Sequence, residues 1–126
     1  MTESDLREFF AALSRGDRDA FAERLAEDVV LTFPGRRFGG RFEGKRKVTV
    51  FLRQNQRLFE GGLEFTVRWA GVSGDRGVVQ WTNRGVTRDG REYENRGATV
   101  FVFRDGLVAK IDDYLDTETI AETWPE

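Results

Sequence analysis

Apolar residues recur at helical spacing near the start of the chain. Between a capping Ser4 and a terminating Gly16 they fall at positions i, i+3, i+4 and i+7, namely Leu6, Phe9, Phe10 and Leu13. Asp17 is a suitable cap for a second helix, in which Phe21 and Leu25 share one face. The pattern therefore predicts two consecutive amphipathic helices.

A short β-rich run over residues 29–33 follows, and a Pro-Gly pair breaks it. Residues 35–44 are rich in glycine and arginine and are interpreted as a loop. Helical spacing resumes over residues 48–59 and is ended by two consecutive glycines. These features predict one strand, one long loop and a third helix.

The second half of the chain alternates with a period of two, as strands do. Three pairs of turn residues separate the alternating runs, and they are Gly74-Asp75, Asp89-Gly90 and Asp105-Gly106. Helices followed by an antiparallel meander predict a single α+β domain over residues 1–126. A short capped tail from Thr117 completes it.

Alternation also divides the last two strands into faces. The core face of the final strand carries Leu107, Ala109, Ile111, Asp113 and Leu115. The inward set of the preceding strand is Tyr93, Asn95, Gly97, Thr99, Phe101 and Phe103. Asp113 is thus a carboxylate among apolar neighbours, and pairing through the last turn is expected to place it level with Asn95 and Gly97. A few polar groups on an apolar concave wall are typical of a small-molecule pocket.

Two further features extend this picture. Asn55 occupies the apolar stripe of the third helix, where leucine or isoleucine is expected, so it is a candidate pocket residue. The opposite face of the sheet is also expected to be apolar, through Val79, Trp81, Val100, Val102 and Val108. Because a second apolar face is usually covered, this predicts a homodimer through the outer sheet face.

Composition restricts the chemistry. The 126 residues contain no histidine and no cysteine, which removes Ser-His and Cys-His nucleophiles and thiolate or histidine metal sites. We accordingly expect no metal and no cofactor. With no apolar run long enough for a bilayer and no secretory signal, the protein is expected to be soluble and cytoplasmic.

A basic segment leaves alternatives open. Its cations are Arg36, Arg37, Arg41, Lys45, Arg46 and Lys47, and Phe38 and Phe42 lie among them. Such a segment can bind nucleic acid, but the net charge of −2 argues against that partner. Gly39, Gly44 and Lys45 imitate a phosphate loop without its Ser or Thr. A flap is the favoured interpretation, with Phe38 closing on an apolar ligand.

The sequence resembles the nuclear transport factor 2-like superfamily, the cone-shaped fold of ketosteroid isomerases, limonene epoxide hydrolases and SnoaL-like polyketide cyclases. The segments that carry this resemblance are Phe9-Phe10-Ala11-Ala12-Leu13, Arg15-Gly16-Asp17, Glu27-Asp28-Val29-Val30, Gly44, Asp105-Gly106 and Asp113-Tyr114-Leu115-Asp116. The resemblance implies a cone-shaped, curved antiparallel sheet wrapped around N-terminal helices and enclosing an apolar pocket.

Individual positions match the family unevenly. The place of the isomerase base reads Phe33-Pro34, and the isomerase oxyanion-hole Asp falls at Thr99. Asp113 matches the first Asp of the epoxide hydrolase ending, whereas the Arg-X-Asp place reads Gln80-Trp81-Thr82. The resemblance leaves a SnoaL-like pattern with Asp113 as the candidate acid or base.

Two hypotheses about function follow. In the first, the protein is an isomerase, cyclase or hydrolase that needs no cofactor and acts on a hydrophobic ring-type compound, with Asp113 as acid or base. The expected ligand contacts are Tyr93, Asn95, Gln80, Thr82, Thr99, Asn55, Phe33 and Phe38. A structural ion pair of Asp113 with Arg84 or another arginine is the alternative role for this residue. The alternative function is a non-catalytic ligand-binding or dimerisation module of the same fold, which is favoured by the missing catalytic groups at Phe33 and at residues 80–82.

Overall fold

The computed structural model describes residues 1–125, which form four helices and six strands. In chain order they are α1 (Glu3–Ser14), α2 (Arg18–Ala22), β1 (Leu25–Phe33), β2 (Gly40–Glu43), α3 (Lys45–Arg57), β3 (Phe59–Ser73), β4 (Arg76–Thr87), β5 (Glu92–Arg104), β6 (Leu107–Leu115) and α4 (Thr117–Thr123). The strands make one open, curved sheet in the order β2-β1-β6-β5-β4-β3. The expected α+β fold with N-terminal helices is confirmed.

Neighbouring strands are antiparallel except for β1 and β6, which run parallel. The first strand of the chain, β1, therefore lies beside the last strand, β6, in the interior of the sheet. The expected hairpin turns join β3 to β4, β4 to β5 and β5 to β6. No helix within residues 1–125 has the length and apolar character needed to cross a bilayer.

The first helices form for the expected reasons, with one change at the start. Thr2, and not Ser4, caps α1: its hydroxyl accepts a hydrogen bond from Asp5 N, and the Asp5 carboxylate accepts one from Thr2 N. Asp17 caps α2 by accepting from Ala20 N. The apolar stripe of α1 is buried against the sheet.

Two element boundaries differ from expectation. Gly40–Glu43, within the expected loop, is the edge strand β2, which pairs with β1; its two half-buried and two exposed side chains alternate. Helix α3 ends at Arg57, and Phe59 already begins β3. Gly61 and Gly62, expected to stop the helix, adopt φ of 74° and 93° where the β3–β4 register shifts.

The faces of the sheet also require correction. Val79, Trp81 and Val108, expected on the outer face, are buried in the core. For Val108 the cause is an extra residue in β6: Phe103 pairs with Val108, whereas Val102 pairs with Lys110. This bulge reverses the inward and outward alternation within the strand.

Candidate functional site

A cavity of about 400 Å³ lies between the concave face of the sheet and the helices α1 and α3. This volume lies within the range of small-molecule pockets. Most of the wall is apolar, and its aromatic members include Phe9, Phe10, Phe33, Phe51, Phe65 and Trp81. The polar members are Asn55, Gln56, Asn83, Tyr93, Thr99 and Asp113.

Asp113 reaches the cavity from β6, as alternation from Ile111 predicts. It lies opposite Thr99, nearer the β5–β6 turn than the expected level of Asn95 and Gly97, and the extra residue in β6 accounts for one residue of this difference. The Thr99 hydroxyl donates to Asp113 Oδ1 at 2.6 Å and itself accepts from Trp81 Nε1 at 2.9 Å. Thr99 therefore positions the carboxylate, and its single hydroxyl hydrogen is used in this bond.

Burial raises the pKa of the Asp113 carboxyl to about 6, against the opposing effect of the Thr99 hydrogen bond and with a smaller contribution from the nearby charge of Asp112. Within residues 1–125, no arginine or lysine pairs with Asp113, and its Oδ2 accepts no hydrogen bond. Arg84, the partner considered from sequence, is exposed on the other face of β4. Asp113 thus presents a free oxygen to an apolar cavity.

Tyr93 and Asn95 form a second buried polar group on β5. Asn95 Nδ2 donates to Tyr93 Oη at 2.9 Å and to the carbonyl of Asp116, and Asn95 Oδ1 accepts from the backbone of Arg96 and Asp116. Burial raises the pKa of the Tyr93 phenol, against the hydrogen bond from Asn95. Tyr93 lines the cavity, whereas Asn95 lies behind it and holds its ring.

The structure does not bring Gln80 and Thr82 to the cavity. Both lie on the outer face of β4, where Gln80 is exposed and Thr82 accepts a hydrogen bond from Arg68 Nε. The inward residues of β4 are Val79, Trp81 and Asn83. Asn83 is a cavity residue that the sequence analysis missed, although alternation from a buried Trp81 identifies it.

The remaining expected contacts line the cavity. Asn55 extends from α3, and the Phe33 ring packs on Phe51 with centroids 5.3 Å apart. Phe38 is 41% exposed at the cavity edge, beneath the guanidinium of Arg37. This arrangement fits a flap with an apolar inner side and a charged outer side.

Among residues 1–125, no group of three or more aspartate or glutamate side chains is arranged to hold a metal ion. Within the same residues, Asp113 is the single carboxylate that lines the cavity. The chemistry available at the wall is therefore proton transfer by one carboxyl group and hydrogen bonding by amides, hydroxyls and a phenol.

Solved structures share this architecture along nearly the whole chain. Bal32a, from a soil-derived mobile gene cassette, superposes with a TM-score of 0.87 at 22% identity, covering 96% of this chain and 94% of its own. A nuclear transport factor 2-like protein of unknown function from Burkholderia pseudomallei gives a TM-score of 0.85 at 25% identity, covering 98% and 96%. A candidate polyketide cyclase from Pseudomonas putida gives 0.81 at 22% identity, covering 97% of each chain.

A comparison with curated proteins finds no match. A model of the SnoaL-like domain, in contrast, matches residues 6–111, which span α1 to the middle of β6. The matched region contains α2, α3, most of α1 and of the sheet, and the greater part of the cavity wall, whereas the wall residues Asp113, Leu115, Ile120 and Trp124 lie beyond it. The chain belongs to the SnoaL-like domain family, within the nuclear transport factor 2-like superfamily.

Proposed function

We propose that the cavity binds a hydrophobic ring-containing compound and that Asp113 acts on it as general acid or base, in an isomerase, cyclase or hydrolase reaction that needs no cofactor. The environment of the Asp113 carboxylate is the observation that supports this proposal. One of its oxygens is held by Thr99, and the other faces an apolar cavity without a cationic partner among the described residues.

The chemistry follows from the raised pKa. Near neutral pH, a carboxyl with a pKa of about 6 is mostly ionised, yet it is more basic than an ordinary aspartate. Asp113 Oδ2 removes a proton from a ring carbon next to a carbonyl, and the electron pair moves to the carbonyl oxygen. Where the ring also carries a double bond between the next two carbons, the resulting dienolate takes the proton back from Asp113 at the far carbon, so that the double bond moves into conjugation with the carbonyl and the carboxylate is regenerated.

Deuterium exchange tests this proposal. 2-Tetralone, a bicyclic ketone, is incubated with the protein in D₂O near neutral pH, and loss of its α-proton signals is followed by NMR. We expect the protein to accelerate exchange above the buffer rate and Asp113→Asn to abolish the acceleration. The control is Asp105→Asn in the adjacent turn, where the backbone φ of 54° suits asparagine. Acceleration that persists in Asp113→Asn contradicts the assigned role.

A second candidate is a non-catalytic ligand-binding module. It is favoured by Phe33, which stands where the related isomerases hold their base and packs on Phe51. For this candidate, 2-tetralone binds to the protein but exchanges its protons at the buffer rate. The same experiment therefore separates the two functions.

We also propose a homodimer through the outer sheet face. Trp69, Gln80, Ala98 and Tyr114 form a row of cross-strand neighbours on that face. Trp69 is 55% exposed and Tyr114 59% exposed, and Val100 and Val102 lie half-buried beside them. Large, exposed aromatic side chains are suited to the centre of a protein interface.

A further inference from the structure

Asn83 and Asn95 offer a direct comparison inside the fold. They are register partners on β4 and β5, and each is 7% exposed. The Asn95 amide makes four hydrogen bonds within the protein. The Asn83 amide makes none with residues 1–125, and its Oδ1 is fully buried without a partner.

A buried, unpaired amide destabilises a fold, because it loses its hydrogen bonds to water and gains none in return. A leucine at this position is close in size and avoids that loss. Asn83 also lines the cavity, beside Trp81 on the same strand. The position therefore favours a role for Asn83 toward a molecule that enters the cavity.

Residue 83 borders a second depression on the outer face, which is lined by charged side chains that include Arg68 and Arg84. The side chain of Asn83 shares its face with the buried Val79 and Trp81, and therefore points to the concave side. The Asn83 amide is therefore placed to contact a ligand in the cavity, and not one in the outer depression.

We propose that Asn83 is a specificity-determining residue that selects ring compounds carrying a neutral hydroxyl. Its amide group carries both an acceptor oxygen and N–H donors, which suit a ligand hydroxyl and an adjacent carbonyl. This inference rests on the proposed ligand-binding function of the cavity, but not on the catalytic role of Asp113.

The fold places this amide well away from the carboxylate. Val79 pairs with Thr99, which in turn pairs with Asp113, and Asn83 lies four residues further along β4. Four residues of strand span about 13 Å. A ligand that reaches both groups is therefore elongated, with its hydroxyl at Asn83 and its other end near Asp113.

The test compares 4-hydroxybiphenyl with biphenyl, two elongated probes that differ by one hydroxyl, by equilibrium dialysis. We expect the wild-type protein to bind the hydroxylated probe about fivefold to tenfold more tightly, as one hydrogen bond allows. Asn83→Leu should reduce this preference to below twofold and keep the affinity for biphenyl. Asp113→Asn should retain the preference.

Thermal unfolding supplies the second measurement. Asn83→Leu should unfold at the wild-type temperature or above, whereas Asn95→Leu should unfold at a lower temperature, since its four hydrogen bonds are lost. A preference that survives in Asn83→Leu, or a destabilisation equal to that of Asn95→Leu, overturns the inference and leaves the cavity proposal standing. Failure of the wild-type protein to bind either probe overturns both.

Discussion

The indole of Trp81 lies directly over Gly97, its register partner on β5. A Cβ atom at Gly97 would stand 2.8 Å from Trp81 Cζ2 and 2.3 Å from the carbonyl oxygen of Tyr114. The absence of a side chain at residue 97 lets the indole cross the strand and donate to Thr99. Because Thr99 in turn donates to Asp113, the orientation of the carboxylate depends on the absence of a side chain at Gly97.

Gly97→Ala should therefore destabilise the protein by about 1–3 kcal/mol, because backbone must move to admit the methyl group. Gly40→Ala in β2 is the matched control, since its nearest contact would be an ordinary 3.5 Å to the Phe42 ring. Urea unfolding of both variants measures the effect. Equal stability of the two variants would contradict the proposed packing of Trp81 over Gly97.

Thr99→Val should raise the pKa of Asp113 further above 6, because the hydrogen bond from the Thr99 hydroxyl lowers that pKa in the wild-type protein. The variant also leaves the Trp81 indole N–H without its acceptor. Titration of the Asp113 carboxyl carbon by NMR measures the pKa directly. Thr82→Val, on the outer face, should leave it unchanged, and a pKa that falls in Thr99→Val would refute this arrangement.

Alternation was sufficient to place Asp113 on the concave face, because Ile111, Asp113 and Leu115 lie on the same side beyond the bulge. It failed at β4, where Val78 and Val79 are adjacent and Trp81 follows. Both faces of that strand contain apolar residues, so the period alone does not choose between them. The absence of a side chain at Gly97 leaves space for the indole on the concave side, where the structure places Trp81.

Long-range pairings were the other missing information. The level of Asp113 depends on a one-residue bulge in β6, and nothing local in the sequence marks it. Strand β2 lies in a segment of glycines and arginines and is ordered by pairing with β1. The sequence does not show which face of β4 points to the cavity. For this reason Gln80 and Thr82 were expected there, and Asn83 was not.

Stability should depend on pH through Asp113. Its pKa is raised from 3.8 to about 6 in the folded state, so protonation stabilises the fold. That stabilisation is fully present below pH 3.8 and is lost as the pH rises through 6. A shift of this size corresponds to about 3 kcal/mol. Urea unfolding from pH 4 to 7.5 should show Asp113→Asn gaining stability relative to the wild type as the pH rises.

Asp5 provides a control of opposite sign. The backbone N–H of Thr2, followed by Arg24, lowers the pKa of Asp5 to about 2. Its contribution is therefore present above pH 3.8 and is lost as the pH falls toward 2. Asp5→Asn should be less stable than the wild type at neutral pH, with the difference shrinking in acid. If the difference in unfolding free energy between the wild type and Asp113→Asn did not vary with pH, this would contradict a pKa of Asp113 raised by burial.

The outer face supplies the last prediction. The Trp69 ring lies flat over Gly71, where an added Cβ would stand 2.6 Å from Trp69 Cη2, so its other side is free for a partner. We expect the wild-type protein to sediment as a dimer at 50 µM, and Trp69→Lys to weaken association at least tenfold by placing a charge at the interface. Val50→Lys, at a 46% exposed position on α3, should leave the dimer intact. A wild-type monomer at high micromolar concentration, or equal effects of the two lysines, would rule out this face as the interface.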